Sequence, residues 1–291
     1  MLSFTPDPKT EKELIRLQGR LFETWNTVST LSSDELAYMH RQALISTIGA
    51  STRIENAVLT DQEIDWLDTT LGQDDRITAY ESQKNFISDK LSKDRQRSIE
   101  EVVGCREMLT TVYQQADELF PFTEAHLRSL HHDLLRYYPQ AAHHAGGYKT
   151  SSNKVVSYNR ETGQQRTVLN PADPGMVTAT AMADLLTWYN GAVRETPWPL
   201  LAAVEFVFRF LAIHPFQDGN GRLGRGLFLL SILQSDDKYL RKTIPYLAVD
   251  RQIEKIKRFI TKCFFRHQRE SFTKIPDVIG MTDLFVFLLK F

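Results

Sequence analysis

Residues 199–225 constrain the fold of this chain more than any other stretch. Leu200, Leu201, Val204, Phe208 and Leu211 recur at the spacing of one helix face, and nothing here alternates with period two. The spacing predicts a helix over 199–213. A glycine-rich loop follows at once: His214-Pro215-Phe216-Gln217-Asp218-Gly219-Asn220-Gly221-Arg222-Leu223-Gly224-Arg225. A second helix is expected to start just after its glycines. This helix–loop–helix frame argues against two other phosphate loops. Gly219, Gly221 and Gly224 fit the G-x-G-x-x-G spacing, but the dinucleotide fold needs a strand before it. No Gly-Lys-Ser/Thr follows the glycines, so a Walker loop is excluded.

The loop gathers the groups that hold a polyphosphate and its metal ion. Glycines let backbone N–H groups wrap an anion, and the helix behind them aims its positive dipole end at it. Arg222 and Arg225 are three apart, so they share a helix face and can both reach phosphate oxygens. Asp218 suits a hard cation such as Mg²⁺, which bridges phosphates. His214 stands at the other end of the loop, where a base serves a second substrate.

The run resembles the signature of the Fic family, His-Pro-Phe-x-Asp-Gly-Asn-Gly-Arg-x-x-Arg, at every fixed position. It resembles the adenylyltransferase branch, not the Doc branch, where Ala-Asn-Lys stands in the second glycine region. The resemblance spans roughly 120–269. It implies a mainly α fold, a Fic-type helical bundle with a small β-hairpin flap. It implies transfer of AMP from ATP to a Ser, Thr or Tyr hydroxyl of a target protein, with nothing covalent formed on the enzyme. Under it, His214 is the base and Asp218 holds Mg²⁺ or Mn²⁺. Gly219, Asn220, Gly221, Arg222, Gly224 and Arg225 bind the nucleotide, and Phe216 anchors the loop. Self-modification and pairing with a second copy of the chain stay open. Alternative readings are transfer of UMP or phosphocholine, hydrolytic removal of AMP assisted by Glu55, and a module that only senses nucleotide.

A second motif lies upstream. Ser51-Thr52-Arg53-Ile54-Glu55-Asn56 resembles the family's inhibitory motif, Ser/Thr-x-x-x-Glu-Gly/Asn. Asn56 suits the left-handed position that closes a helix. Glu55 then sits in the last turn against the negative dipole end, unfavourable by about 0.3–1 kcal/mol. Ser51 and Glu55 share a face. The resemblance implies that Glu55 reaches Arg225 and takes the space of the ATP γ-phosphate, from an inhibitory helix over about 33–56.

One segment breaks the helical pattern. Gly146-Gly147-Tyr148-Lys149 leads into Lys154-Val155-Val156-Ser157-Tyr158, turn residues fill 159–163, and 164–169 looks extended. Composition leaves a hairpin and a plain loop equally open. The resemblance favours a flap that pairs with the target's backbone at Thr150, Lys154, Val155 and Val156. Lys149 is a candidate contact to nucleotide or target.

Helices are also expected over 76–91, 95–115, 124–137 and 251–268. Ser32…Glu35 and Thr60…Glu63 predict capping boxes. Asp173-Pro174 is expected to open a helix that Asn190-Gly191 closes. The resulting division is an N-terminal helical extension over 1–115, a core over 116–270 and a tail over 271–291. Gln252 to Phe265 has no tyrosine to face the nucleobase, so base choice is unassigned. A net charge of −1 gives no overall pull toward nucleic acid or anionic membrane. Met1 to Lys12 has no secretory character, and the apolar run 284–291 is too short to span a bilayer, so a cytoplasmic protein is expected. That run is expected to dock on the chain itself or on a partner. Cys105 and Cys263 read as packed, reduced thiols. His131-His132 and His143-His144 read as solvated or capping histidines, and Trp188 and Trp198 as aromatics flanking a turn.

Overall fold

A computed structural model of the chain describes residues 2–72, 79–92, 95–153, 155–158 and 165–255. Eleven named helices and one hairpin appear among them. In order these are α1 (Pro8–Val28), α2 (Ser33–Ile54), α3 (Asp61–Gly72), α4 (Ala79–Leu91), α5 (Gln96–Gln115) and α6 (Glu124–Leu135). After them come α7 (Pro139–Ala142), β1 (Val155–Tyr158), β2 (Gln165–Leu169), α8 (Met176–Glu195), α9 (Pro199–Ile213), α10 (Asn220–Leu233) and α11 (Lys238–Thr243). A 3-10 turn, Ile244–Tyr246, and a helical segment over 249–255 end the described chain.

Helix α10 is the centre because its sequence gives it no face to expose. Leu223, Leu227, Leu229, Leu230 and Ile232 are buried on every side. Helix α9 is as apolar and packs antiparallel beside it. Helices α5, α2, α6 and α11 complete the wall around α10. Gly226 permits this: a Cβ there would lie 2.8 Å from Met108 Cε of α5. Phe206 and Phe210 supply the buried aromatic face of α9, while Phe208 and Leu211 are only partly buried.

Both predicted capping boxes form. Ser32 N–H donates to Glu35 Oε2 at 2.8 Å, and Thr60 N–H to Glu63 Oε2 at 2.8 Å. The expected bounds of α8 need correction. Gly175, at φ 81°, turns the chain so that Pro174 stays outside and the helix begins at Met176. Asn190-Gly191 does not close it, and α8 runs on to Glu195. Asn190 is occupied elsewhere: its amide donates to Phe122 O at 2.9 Å and accepts from Phe122 N–H at 2.7 Å. Ala192 and Val193 beyond it are fully buried, so packing outweighs the cost of a mid-helix glycine. Trp188 accordingly lies within the helix, under the Arg209 guanidinium, and does not flank the turn. The helix expected over 251–268 is described only to residue 255. Cys263 and the apolar run 284–291 lie outside the described residues, as do 76–78 of the expected 76–91 helix.

The hairpin is a two-stranded antiparallel sheet. Val156 faces Thr167, Ser157 faces Arg166 and Tyr158 faces Gln165, with a register irregularity between Val155 and Val156. Lys154 lies outside the described residues.

Candidate active site

The loop between α9 and α10 is held from within. Helix α9 ends at His214, which takes left-handed angles (φ 51°, ψ 59°) and donates its N–H to Phe210 O at 2.9 Å. Phe216 is fully buried. Asn220 closes the loop: its Oδ1 accepts from Phe216 N–H at 3.0 Å and its Nδ2 donates to Phe216 O at 2.7 Å. The Asn220 side chain therefore ties the two ends of the loop together. Gly219, at φ 77°, forms the N-cap of α10.

The ring of Phe216 stacks on His131 of α6, with centroids 3.7 Å apart and planes 11° from parallel. His131 is fully buried, not solvated or capping as expected. Gly146 N–H donates to its Nδ1 at 2.9 Å, and its Nε2 contacts Asp218 O at 3.0 Å. Only the neutral ring with hydrogen on Nε2 satisfies both partners. His131 thus braces both halves of the loop. Its position was readable: Leu127 and Leu135 lie four residues either side, on the buried face of α6. Thr123 caps α6: its Oγ1 accepts from His126 N–H at 3.2 Å, and its own N–H donates to His126 Nδ1 at 3.4 Å.

The start of α10 presents the donors that an anion site needs. Its first intrahelical bond runs from Leu223 N–H to Gly219 O, so the N–H groups of Asn220, Gly221 and Arg222 precede the ladder. Arg222 is only 3% exposed, yet its Nε and Nη1 have no hydrogen-bond partner among the described residues. Glu101 stands 3.9 Å from its Nη1 and Asp218 3.6 Å from its Nη2. Unpartnered donors in a buried guanidinium beside a helix start suit an anion. The Asp218 side chain is 47% exposed, and its Oδ1 accepts from Gly219 N–H at 2.6 Å. A lone, reachable carboxylate beside a phosphate cradle fits a cation that keeps most of its other ligands from phosphate and water. Among the described residues no group of three or more His, Cys, Asp or Glu could cage a metal. A Cβ on Gly224 would approach Leu211 Cδ2 to 3.3 Å, so this glycine serves the close approach of α9.

Arg225 turns toward α2. Its Nε donates to Ser51 Oγ at 2.7 Å, and its Nη2 donates to Ser51 O at 2.8 Å and Glu55 Oε1 at 3.1 Å. Asp250, fully buried in the segment over 249–255, lies 3.8 Å from Arg225 Nε. Burial pushes the Asp250 carboxyl up to about 6. No local pattern marks Asp250, because it reaches Arg225 from a separate helical segment. Asn56 takes the left-handed angle expected after Glu55, with φ 74°. Glu55 also sits against the start of α10: a Cβ on Gly221 would lie 2.6 Å from Glu55 Oε1. Glycine at 221 leaves room for that oxygen. Cys105, behind this cluster, is a buried free thiol that burial pushes up to about 12.

Burial lowers the His214 imidazole below its ordinary value, and the ammonium of Lys149 adds to this. Its Nδ1 lies 3.3 Å from Leu211 O. That contact selects hydrogen on Nδ1 and leaves the lone pair on Nε2. Lys149 is buried, and Thr150 beside it is exposed.

Fold and loop together define a helical domain with N–H groups ahead of the α10 ladder, a buried arginine beside them and a histidine at the loop's far end. Residues 121–232 match the model of the Fic/DOC family. The whole chain is similar to a Fic family protein from Desulfovibrio desulfuricans, with TM-score 0.69, 23% identity and coverage of 100% of this chain and 74% of the other. A Fic domain containing signaling protein from Bacteroides thetaiotaomicron gives TM-score 0.67 and 21% identity over 94% of each chain. Fic-1 from C. elegans gives 0.63 and 17% over 97% of this chain and 68% of that one. The mainly α fold is that of Fic proteins. No curated protein matches the chain. No helix among the described residues is long and apolar enough to cross a membrane.

Proposed function

We propose that this protein is an adenylyltransferase that moves AMP from ATP to a hydroxyl side chain of a target protein and is restrained by its own Glu55. One observation carries it: buried Arg222 with unpartnered Nε and Nη1 beside the open N–H groups of α10. Those donors suit phosphate oxygens, and charge growing on a departing pyrophosphate strengthens the interaction in the transition state. In this reading the Nε2 lone pair of His214 takes the hydroxyl proton as the hydroxyl oxygen bonds to the α-phosphorus. The bond from that phosphorus to the bridging oxygen breaks, and pyrophosphate leaves. The lowered affinity of His214 for protons keeps it free to accept one at neutral pH. Asp218 would hold Mg²⁺ or Mn²⁺, which when bound neutralises phosphate charge.

Glu55 restrains the reaction by holding Arg225 and by setting a carboxylate against the anion site. The helices over 1–115 act as a regulatory extension of the core. The test is incubation with α-labelled ATP and cell lysate. Glu55→Gly, with Glu55→Gln and Glu55→Ala as controls for helix-end relaxation, should label targets or itself far more than the parent. Adding His214→Ala to Glu55→Gly should lower the rate by about 10²–10⁴ while ATP still binds. No label from any Glu55 variant overturns the proposed function.

A further inference from the structure

The segment over 149–153 grips the loop that carries His214 by four consecutive carbonyls. Lys149 Nζ donates to Ile213 O at 3.0 Å. Asn153 Nδ2 donates to His214 O at 3.1 Å and to Phe216 O at 2.7 Å. The backbone N–H of Lys149 donates to Pro215 O at 2.8 Å. The two side chains brace each other through Lys149 Nζ and Asn153 Oδ1, 3.0 Å apart.

This arrangement costs more than packing requires. Lys149 is 3% exposed, and its ammonium rests on an amide oxygen and a carbonyl. A methionine would fill such a space without desolvating a charge. Burial brings the Lys149 amine down to about 8. His214, whose carbonyl Asn153 holds, takes left-handed angles that strain a non-glycine residue. Such a conformation persists only where its surroundings over-determine it. The strap also ends two residues before β1, so the loop is fastened close to the root of the hairpin.

We propose that Lys149 and Asn153 are positioning residues for His214, fixing the turn that presents its imidazole and tying it to the root of the hairpin. This rests on His214 being the base. The charged groups facing His214 are Lys149 from this strap, Glu55 from the end of α2 and Asp218 from its own loop, with Asp173 acting on Lys149. Lys149 is the one positive charge in that set, so it opposes protonation of the imidazole.

The experiment has two arms. In the first, the His214 imidazole is titrated by NMR without nucleotide in wild type, Lys149→Met and Lys149→Arg. Lys149→Met should raise the midpoint, since it removes a positive neighbour, and Lys149→Arg should leave it in place. In the second, label transfer is measured in the Glu55→Gly background. Lys149→Met and Asn153→Ala should lower kcat by about 10–100-fold with KM for ATP unchanged, and Lys149→Arg should restore it. A lower melting temperature with neither change is the outcome of a purely structural role and overturns the proposal. In an active enzyme, either change missing overturns it as well. If Lys149→Met does not fold, Asn153→Ala, which keeps the ammonium, decides through kcat. If no variant transfers label, the proposed function fails separately, and the titration alone decides the role of Lys149.

Discussion

His131 shows how a single side chain can carry a loop. It stacks on Phe216, accepts from Gly146 N–H and meets Asp218 O, so one ring touches the base side and the anion side together. Burial brings it down to about 4, and the two backbone partners require the neutral form. An NMR titration should therefore find His131 unprotonated until about pH 4. The unfolded chain takes up that proton near pH 6.5, so this residue's contribution to stability is lost as pH falls from 6.5 toward 4, by about 3 kcal/mol at most. Asp250, raised by burial, works in the opposite direction over the same range. A His131 midpoint near 6.5 would show that the brace is absent. The pairing of Ser51 and Glu55 on one face, and the left-handed Asn56 after them, were legible from spacing and residue type. His131 was misjudged because a doubled histidine was weighed as a metal motif, while the leucines around it were the informative neighbours.

Among the elements, α5 and α6 approach each other closely. A Cβ on Gly104 would lie 2.1 Å from Leu134 O, a backbone atom that cannot swing aside. Gly104→Ala should gain about 1 kcal/mol of helix propensity and lose more to forced separation. We expect a net loss of about 2 kcal/mol or more, read as a lower urea midpoint at unchanged slope. An unchanged midpoint would mean the helices part freely. The hairpin gives a second expectation. Val155→Pro or Val156→Pro removes a donor from any strand pair and should reduce target labelling without weakening ATP binding. Unchanged labelling in both would move target recognition elsewhere. Capping boxes and the bounds of α9 were legible because their causes are local. The overrun of α8 was not, because Asn190 is drawn to Phe122, 68 residues away, and no local pattern records that.

Across the whole molecule, the end of α2 is fastened to the end of the described chain. Arg53 grips Glu254 with two nitrogens, at 2.8 and 3.3 Å, and meets Asp61 at 2.8 Å. Arg251 reaches Asp61 from the other side at 3.1 Å. This network sets the end of α2, and hence Glu55, against α10. It is partly exposed, so its contribution is modest, about 1 kcal/mol. Arg53→Ala should raise label transfer about fivefold, less than Glu55→Gly, and should speed hydrogen exchange in the last turn of α2. Transfer and exchange both equal to the parent would show that α2 is held without the network. No spacing in the sequence joins Arg53 to Glu254, 201 positions on. Such pairs become visible only once the packing of α2, α3 and the last helix is known.

Glu55 and Arg225 belong to one chain, and that changes how any restraint between them can be lifted. Their encounter is unimolecular, so dilution leaves it untouched and protein concentration does not enter. A competing anion faces a carboxylate at an effective concentration set by the 170 residues of folded chain between the two groups, not by its amount in solution. A rise in nucleotide is thus opposed by a constant, and release calls for something that moves the end of α2 itself.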